Sequence, residues 1–220
     1  MRKDLMSKVL KEDMVVNTRL SSSNIWIPNV VYKVENHMVT IGLLSEYLEN
    51  IIMMGQNMTL KVSNPKTEFL FEGEIVEISP DFPSYVTLKI RDIKKLKNIR
   101  TFPRYDVYLG AVVKPVDSSE DSFAIVHNLS LVGMAFYSRE DYKIGDQGYE
   151  FSIYLSDCKT VKAIGKITRV SIKDHFSDYG FQFTEMNEEN NILISNIFNS
   201  IEDEKDKIRE EFLSCVKKHL

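Results

Sequence analysis

The sequence predicts an all-β protein: two small β-barrels joined by a basic linker, with a C-terminal α-helix. Three observations lead to this prediction. Apolar and polar residues alternate with a period of two from about residue 24 to residue 185. A short basic segment interrupts this alternation near the middle of the chain, and a helical period replaces it after residue 187. We therefore expect domains at 1–95, 96–186 and 187–220.

The first half contains five candidate strands, separated by turn-forming pairs such as Asn64-Pro65. In the fourth strand, phenylalanines and an isoleucine alternate with glutamates. This pattern is typical of a strand with one face buried and the other in solvent. The five strands are Val30–Val34, His37–Leu43, Asn57–Val62, Thr67–Ile78 and Tyr85–Ile90.

The second half contains six further strands and then a helix. Many short strands at this spacing favour barrels or sandwiches. From Asn187 onward, isoleucines recur at intervals of three, four and seven residues, with acids and lysines between them. This helix either packs against a barrel or pairs with a partner helix. The six strands are Asp106–Val116, Ser122–Ser130, Met134–Tyr137, Tyr149–Leu155, Val161–Val170 and Gly180–Phe183.

The composition is that of an ordinary folded protein of 220 residues, with 43% hydrophobic and 27% charged side chains. No apolar run is long enough to span a bilayer, and the N-terminal residues lack a signal-peptide pattern. The two cysteines, Cys158 and Cys215, are far apart and are expected to be reduced. We therefore expect a cytoplasmic protein without membrane insertion.

The basic segment Arg91–Arg104 carries six basic side chains and one acid, a sum of +5. The whole chain sums to −4, so the remainder sums to −9. A dedicated nucleic-acid binder spreads basic charge over a whole face, so this balance argues against DNA or RNA as a partner. Positive charge confined to one short, loop-like segment instead indicates a site for a small anion.

Two short motifs suggest what that anion is. Arg100 and Arg104 form R-x-x-x-R, and Asn128, Ser130 and Gly133 form N-x-S-x-x-G. A guanidinium fork matches phosphate oxygens two at a time, and its plane stacks on a purine ring. The asparagine amide can pair with a base edge, the serine adds a hydroxyl, and the glycine permits close approach or positive φ. Each motif alone is common at surfaces; together they indicate a small phosphorylated purine ligand.

The two motifs in this order resemble the PilZ family of cyclic di-GMP receptors. The later stretches A-I-G-K-I-T-R-V and Y-G-F-Q-F resemble the closing strands of that domain, so the likeness extends from about Ile99 to Glu185. The first half, with G-Q-x-M-x-L-K-V and F-x-F-x-G-E-I, resembles the split N-terminal barrel of the YcgR-like flagellar-brake branch. The resemblance implies a six-stranded barrel at 96–186 and cyclic di-GMP as the ligand.

The resemblance also implies roles for individual residues. The ligand-binding set is Arg100, Arg104, Asn128, Ser130 and Gly133. Ile99 occupies the position that influences stoichiometry in the family, where an arginine favours an intercalated ligand pair, so a single ligand is implied here. The linker would wrap around the ligand, the barrels would reorient, and a protein partner such as a flagellar-motor component would respond. Control of exopolysaccharide, pili or adhesion is the alternative output.

The sequence leaves two other classes of function open. A single-stranded nucleic-acid-binding barrel would stack bases on aromatics, but the charge outside the basic segment opposes it. An enzyme with a flavin-binding split barrel is the second alternative. The four histidines are dispersed, no metal-ligand spacing occurs, and no phosphate-binding or nucleophile motif is present. We expect no catalytic residue, no metal and no cofactor apart from the ligand.

Overall fold

Six strands close into a barrel in each half of the chain. The computed structural model describes residues 2–49, 51–64, 66–145 and 147–220. It divides the chain into a first unit, Met1–Ile99 with Glu202–Leu220, and a second unit, Arg100–Ile201. The predicted fold class, all-β with two barrels and a C-terminal helix, is confirmed.

The first barrel contains the strands β1 to β6. They are Val15–Leu20, Ile27–Glu35, Met38–Gly42, Asn57–Asn64, Thr67–Ser79 and Tyr85–Lys97. Around the barrel they follow the order β1-β2-β3-β6-β5-β4, with antiparallel pairing. Two short helices accompany them, α1 at Arg2–Val9 and α2 at Ser45–Glu49.

The inner face of the first barrel follows the predicted alternation. Phe69, Phe71 and Ile75 of β5 are buried, and the glutamates between them lie on the outer face. The core of the first barrel also contains buried polar groups, among them the Tyr47 hydroxyl of α2, which accepts a hydrogen bond of 2.9 Å from the side-chain amide of Asn29. Burial raises the pKa of Tyr47 to about 12, because a phenolate in this core would lose its hydration.

Strand β1 was not predicted, since the sequence indicated no strand before residue 24. Its inner face contains Val16, Thr18 and Leu20, all buried. Thr18 breaks the apolar alternation in the sequence. In the barrel its hydroxyl donates to the Ile27 carbonyl at 3.0 Å and contacts the Tyr47 hydroxyl. A buried polar residue with partners in distant parts of the chain cannot be recognised from a local pattern.

Strand β6 corrects the prediction that the whole basic segment is loop-like. It runs through to Lys97 and pairs with β5 along its full length. On this sheet Arg91 pairs with Glu74, and Lys94 pairs with Glu72. Only residues 98–104 lie outside helix and strand between the two barrels. The glutamates of β5 therefore balance part of the basic charge, and the non-strand segment retains Arg100 and Arg104.

The second barrel contains the strands β7 to β12. They are Tyr105–Pro115, Ser122–Ser130, Gly133–Ser138, Gly148–Tyr154, Thr160–Ile172 and Ser177–Glu185. The order around the barrel is β10-β11-β12-β9-β8-β7. All six strands were predicted, and the bounds of β8 agree to the residue. The core is rich in aromatic side chains, including Phe136, Phe151 and Phe181.

The C-terminal helix α3 spans Glu188–Glu211 and continues as a π-helical segment, Phe212–Val216. Asn187 caps its first turn, since its side-chain oxygen accepts from the Asn190 amide at 2.8 Å. In the second unit, Ile194 and Phe198 belong to the barrel core. In the first unit, Phe212 is buried and stacks on Tyr32 with ring centroids 4.8 Å apart.

Candidate functional site

Asn128 lies near the end of β8, where a bulge between Val126 and Asn128 interrupts the ladder to β9. Its register partner on β7 is Asp106, and the Asn128 amide donates to the Asp106 carboxylate at 3.2 Å. An aspartate at position 128 would place two carboxylates opposite each other, which is destabilising. The neutral amide of Asn128 therefore avoids this repulsion and donates a hydrogen bond to Asp106 instead.

Ser130 and Gly133 close the hairpin between β8 and β9, with two residues between them. Ser130 is 2% exposed, and its hydroxyl donates to the Gly133 carbonyl at 2.9 Å. This hydrogen bond fixes the tight turn. The hydroxyl therefore holds the hairpin and positions the last residues of β8.

Gly133 is required by a close approach of two strands rather than by positive φ. A Cβ at this position would lie 2.3 Å from the carbonyl oxygen of Phe181 on β12 and 3.3 Å from the Gln182 Cα. Both are backbone atoms of the neighbouring strand, so they cannot turn aside. The glycine lets β9 and β12 pair tightly beside the Ser130 turn.

Arg104 directly precedes β7 and lies beside the N-x-S-x-x-G motif. The register pairs Tyr105 with Leu129, so Arg104 and Ser130 flank the same cross-strand pair. Partial burial lowers the pKa of Arg104, and the positive charges of Arg100 and Arg169 lower it further. The guanidinium still remains charged at neutral pH. Three arginines therefore raise the positive potential at one place, and an anion bound there would relieve their mutual repulsion.

The second unit thus brings the predicted residues Arg100, Arg104, Asn128, Ser130 and Gly133 together at one end of β7, β8 and β9. Ile99 directly precedes them and is 80% exposed.

Sequence reasoning missed Arg169, which lies on β11 and is exposed. Its guanidinium donates to the Asp178 carboxylate at 3.4 Å, and the His127 ring nitrogen lies 3.2 Å from the same oxygen. Burial acts to raise the pKa of Asp178, but the bond to His127 and the nearby positive charges outweigh it and lower the pKa. No sequence motif links these residues, because strand order alone brings them together.

None of the described residues forms a group of three histidine, cysteine, aspartate or glutamate side chains able to hold a metal ion. No helix in the described ranges is long and apolar enough to cross a membrane.

Residues 98–200 match the family model described as the PilZ domain. The chain contains a PilZ domain. The family recognised from the two motifs is thereby confirmed, and the PilZ domain includes all five predicted ligand-binding residues. The three arginines and the N-x-S-x-x-G turn described above are thus features of one PilZ barrel.

Solved structures that are similar to this chain include YcgR from Escherichia coli in complex with c-di-GMP, at 13% identity and a TM-score of 0.48. That match covers 94% of this chain and 90% of YcgR. The Bacillus subtilis inhibitor of motility MotI/DgrA is 13% identical, with a TM-score of 0.41 and coverage of 84% and 94%. The K. pneumonia MrkH–c-di-GMP complex is 10% identical, with a TM-score of 0.44 and coverage of 87% and 89%. No curated protein matches the chain significantly.

Proposed function

We propose that this protein is a cyclic di-GMP receptor that acts by binding and not by catalysis. The observation that carries the proposal is the position of Arg104, which directly precedes the strand paired with the N-x-S-x-x-G segment and feels the charge of Arg100. Cyclic di-GMP offers two phosphates and two guanine bases. Guanidinium groups recognise phosphates as bidentate donors and stack on purines, and an asparagine amide can pair with a base edge.

The electrostatics of the PilZ domain support a dianionic ligand. The pKa of Arg104 is lowered by partial burial and by two neighbouring arginines, so the site concentrates positive charge. The two phosphodiester groups of cyclic di-GMP each carry one negative charge, and together they would offset the positive charge of the neighbouring arginines. Lys94, in contrast, already pairs with Glu72 on β5 and is therefore a weaker candidate for the ligand.

The output that we propose is regulation of flagellar motility through a protein partner such as a motor component. Residues 98–104, which lie outside helix and strand, would order around the ligand and change the arrangement of the two barrels. The ligand can shift that arrangement only by its difference in affinity for the two states. Control of exopolysaccharide, pili or adhesion is the other output that the sequence left open. Swimming speed and matrix production, measured as the ligand level is raised, separate the two.

Calorimetric titration with cyclic di-GMP tests the binding proposal. We expect the wild-type chain to bind, and Arg100→Ala and Arg104→Ala each to weaken binding by about 10- to 100-fold, since a hydrogen bond to a charged group contributes about 1.5–3 kcal/mol. Arg139→Ala is the matched control, because Arg139 is exposed beyond the end of β9. Wild-type affinity in the Arg100/Arg104 double variant would refute the site.

The same titration reports stoichiometry, and Ile99 before the R-x-x-x-R motif leads us to expect one ligand per chain. A filter-binding assay with a single-stranded oligonucleotide tests the nucleic-acid alternative. Binding of the oligonucleotide in preference to cyclic di-GMP would favour that alternative over the receptor.

A further inference from the structure

Strand β6 of the first barrel continues beyond the strand that pairs with one of its edges. β3 pairs with β6 only as far as Lys89, after which the Ile90 amide donates to the His37 carbonyl at 2.8 Å. On its other edge, β6 pairs with β5 as far as Lys97. In the part of the chain that the structure describes, no strand pairs with the β3-side edge of residues 93–97. This open edge of β6 presents backbone amides and carbonyls that an added strand can pair with.

A cavity of about 340 Å³ lies where β3 begins and the open edge starts. Its two isoleucines provide apolar walls, and its lysine and arginine provide two positive charges. Arg91 is the extra residue of a β-bulge in β6 and also pairs with Glu74 of β5. The cavity therefore suits an apolar side chain next to a carboxylate. Five residues line it: His37, Lys89, Ile90, Arg91 and Ile93.

The open edge and the cavity are basic. Residues 89–97 include five basic side chains and one acid. Two of the five pair with glutamates of β5, and the other three, Lys89, Lys95 and Lys97, are exposed. Lysines are one means by which proteins keep an open edge from pairing with other chains. That protection fails against an acidic strand, because opposite charges on paired strands attract.

The direction of β3 determines which end of an added strand would reach the cavity. β3 is antiparallel to β6 and begins at Met38, opposite Lys89. A strand added on the same side in the same direction would run from Lys97 towards Ile93 and end at the cavity. Its C-terminal carboxylate would then lie beside the charges of Lys89 and Arg91. The edge has room for about five residues, since a strand rises about 3.4 Å per residue.

We propose that the open edge of β6 binds the acidic C-terminal tail of a partner protein by strand addition. The tail pairs in the antiparallel direction with residues 93–97, and its carboxylate end occupies the cavity. Backbone hydrogen bonds hold the tail, and the lysines select acidic side chains. The inference concerns the first barrel alone and does not depend on the proposed function.

Peptide binding to the full chain, followed by fluorescence anisotropy, tests the inference. The probe is an eight-residue peptide of alternating glutamate and valine, labelled at its N-terminus and with a free C-terminal carboxylate. We expect this peptide to bind, and the same peptide with lysine in place of glutamate to bind about tenfold more weakly or less. Amidation of the C-terminus should weaken binding about threefold to tenfold, because a charge-assisted contact in the cavity is lost.

N-methylation of the peptide distinguishes strand pairing from charge attraction alone. The amides of successive residues in an extended peptide point to opposite edges, so methylation of every second residue blocks one edge. Of the two peptides methylated in this way, we expect one to lose binding and the other to retain it. Equal binding or equal loss by the two would overturn the proposal, as would absence of binding by the unmethylated acidic peptide.

Charge reversal on the edge locates the binding site. We expect Lys97→Glu to weaken binding of the acidic peptide about tenfold. Lys173→Glu is the matched control and should bind like the wild type, because Lys173 is exposed in the turn between β11 and β12 of the other barrel. In the wild-type chain, hydrogen exchange should show that the amides of residues 93–97 become protected when the peptide binds. Unchanged exchange there would overturn the proposal.

Two other anionic partners are outcomes of the same assay. A single-stranded oligonucleotide or a vesicle of anionic lipid that binds more tightly than the peptide, and loses affinity in Lys97→Glu, would overturn the proposal in favour of that partner. A chain that binds the peptide but not cyclic di-GMP would refute the proposed function and support this inference.

Discussion

Gly133→Ala tests whether the close approach of β9 and β12 shapes the candidate site. The new Cβ would lie 2.3 Å from the Phe181 carbonyl oxygen, short of the closest ordinary contact, 3.4 Å, by about 1.1 Å. The obstacle is backbone, and it belongs to a strand paired on both sides, with β9 and β11. The two strands must therefore separate locally.

The cost of that separation follows from the hydrogen bonds it stretches. An N–H···O bond of about 2.9 Å that opens by 1 Å exceeds the length at which it still stabilises. One or two lost bonds near the Gln182 pair, together with overpacking, give a destabilisation of about 2–3 kcal/mol. For a domain of this size, that loss lowers the thermal midpoint by roughly 10–20 °C.

Two measurements on the same variant separate its effect on stability from its effect on binding. Thermal unfolding reports stability, and titration with cyclic di-GMP at a temperature where the variant is folded reports binding. Gly165→Ala is the matched control: its Cβ would lie 2.1 Å from the Gln182 carbonyl, so it strains the same strand β12 from the β11 side. We expect both variants to be destabilised. Only Gly133→Ala should also weaken binding tenfold or more, because it alone moves the Ser130 turn.

Two results would refute this reasoning. A Gly133→Ala protein as stable as the wild type would mean that the strands do not approach so closely. Equal losses of affinity in Gly133→Ala and Gly165→Ala would mean that general strain, and not the position of the turn, controls binding.

Two further predictions concern buried or paired polar groups. Asn128→Asp places a carboxylate opposite Asp106, so we expect a loss of up to about 1 kcal/mol in the free energy of unfolding at pH 7. Adding Asp106→Asn should remove that loss, and denaturant unfolding of the wild type and the two variants measures it. The pKa of Tyr47 is about 12 in the folded protein and about 10 in the unfolded chain. The buried hydroxyl therefore contributes about 2–3 kcal/mol to the free energy of unfolding below pH 10, and this contribution is lost as the pH rises to 12. Tyr47→Phe should lack this alkaline loss.

The pH dependence of the free energy of unfolding provides a control for each of these two predictions. In Asn128→Asp, the two neighbouring carboxylates should raise the pKa of one of them. The loss of stability in this variant should therefore shrink as the pH falls and that carboxyl becomes neutral. A deficit that stays constant down to pH 3 would contradict the like-charge explanation. For Tyr47, a wild-type stability curve parallel to that of Tyr47→Phe from pH 9 to pH 12 would show that the hydroxyl is not buried as described.

Local patterns predicted much of the fold because burial on one face of a strand imposes a period of two. The bounds of β8 agree to the residue, and Phe69, Phe71 and Ile75 lie inside the first barrel. Strand β1 escaped prediction because Thr18 interrupts its inner face. The far half of β6 escaped it because lysines there resemble a loop, whereas the glutamates that balance them lie on β5.

The candidate site also contains some residues that the sequence predicted and one that only the strand order places there. Two motifs predicted Arg100, Arg104, Asn128, Ser130 and Gly133, because guanidinium, amide and hydroxyl groups at short spacing indicate a type of ligand before any strand is placed. The placement of Arg169 depends on β11 lying two strands from β9, which no spacing along the chain reveals.

By itself the sequence determined the all-β class, the second barrel's six strands and the family, because each depends on residues close together in the chain. The tertiary structure decided which strands are neighbours. As a result, Asn128 pairs with Asp106, and Gly133 lies close to the backbone of β12. The side chain of Arg169 likewise lies close to Gly180. Those contacts join residues up to several strands apart, and only the register of a closed barrel fixes them.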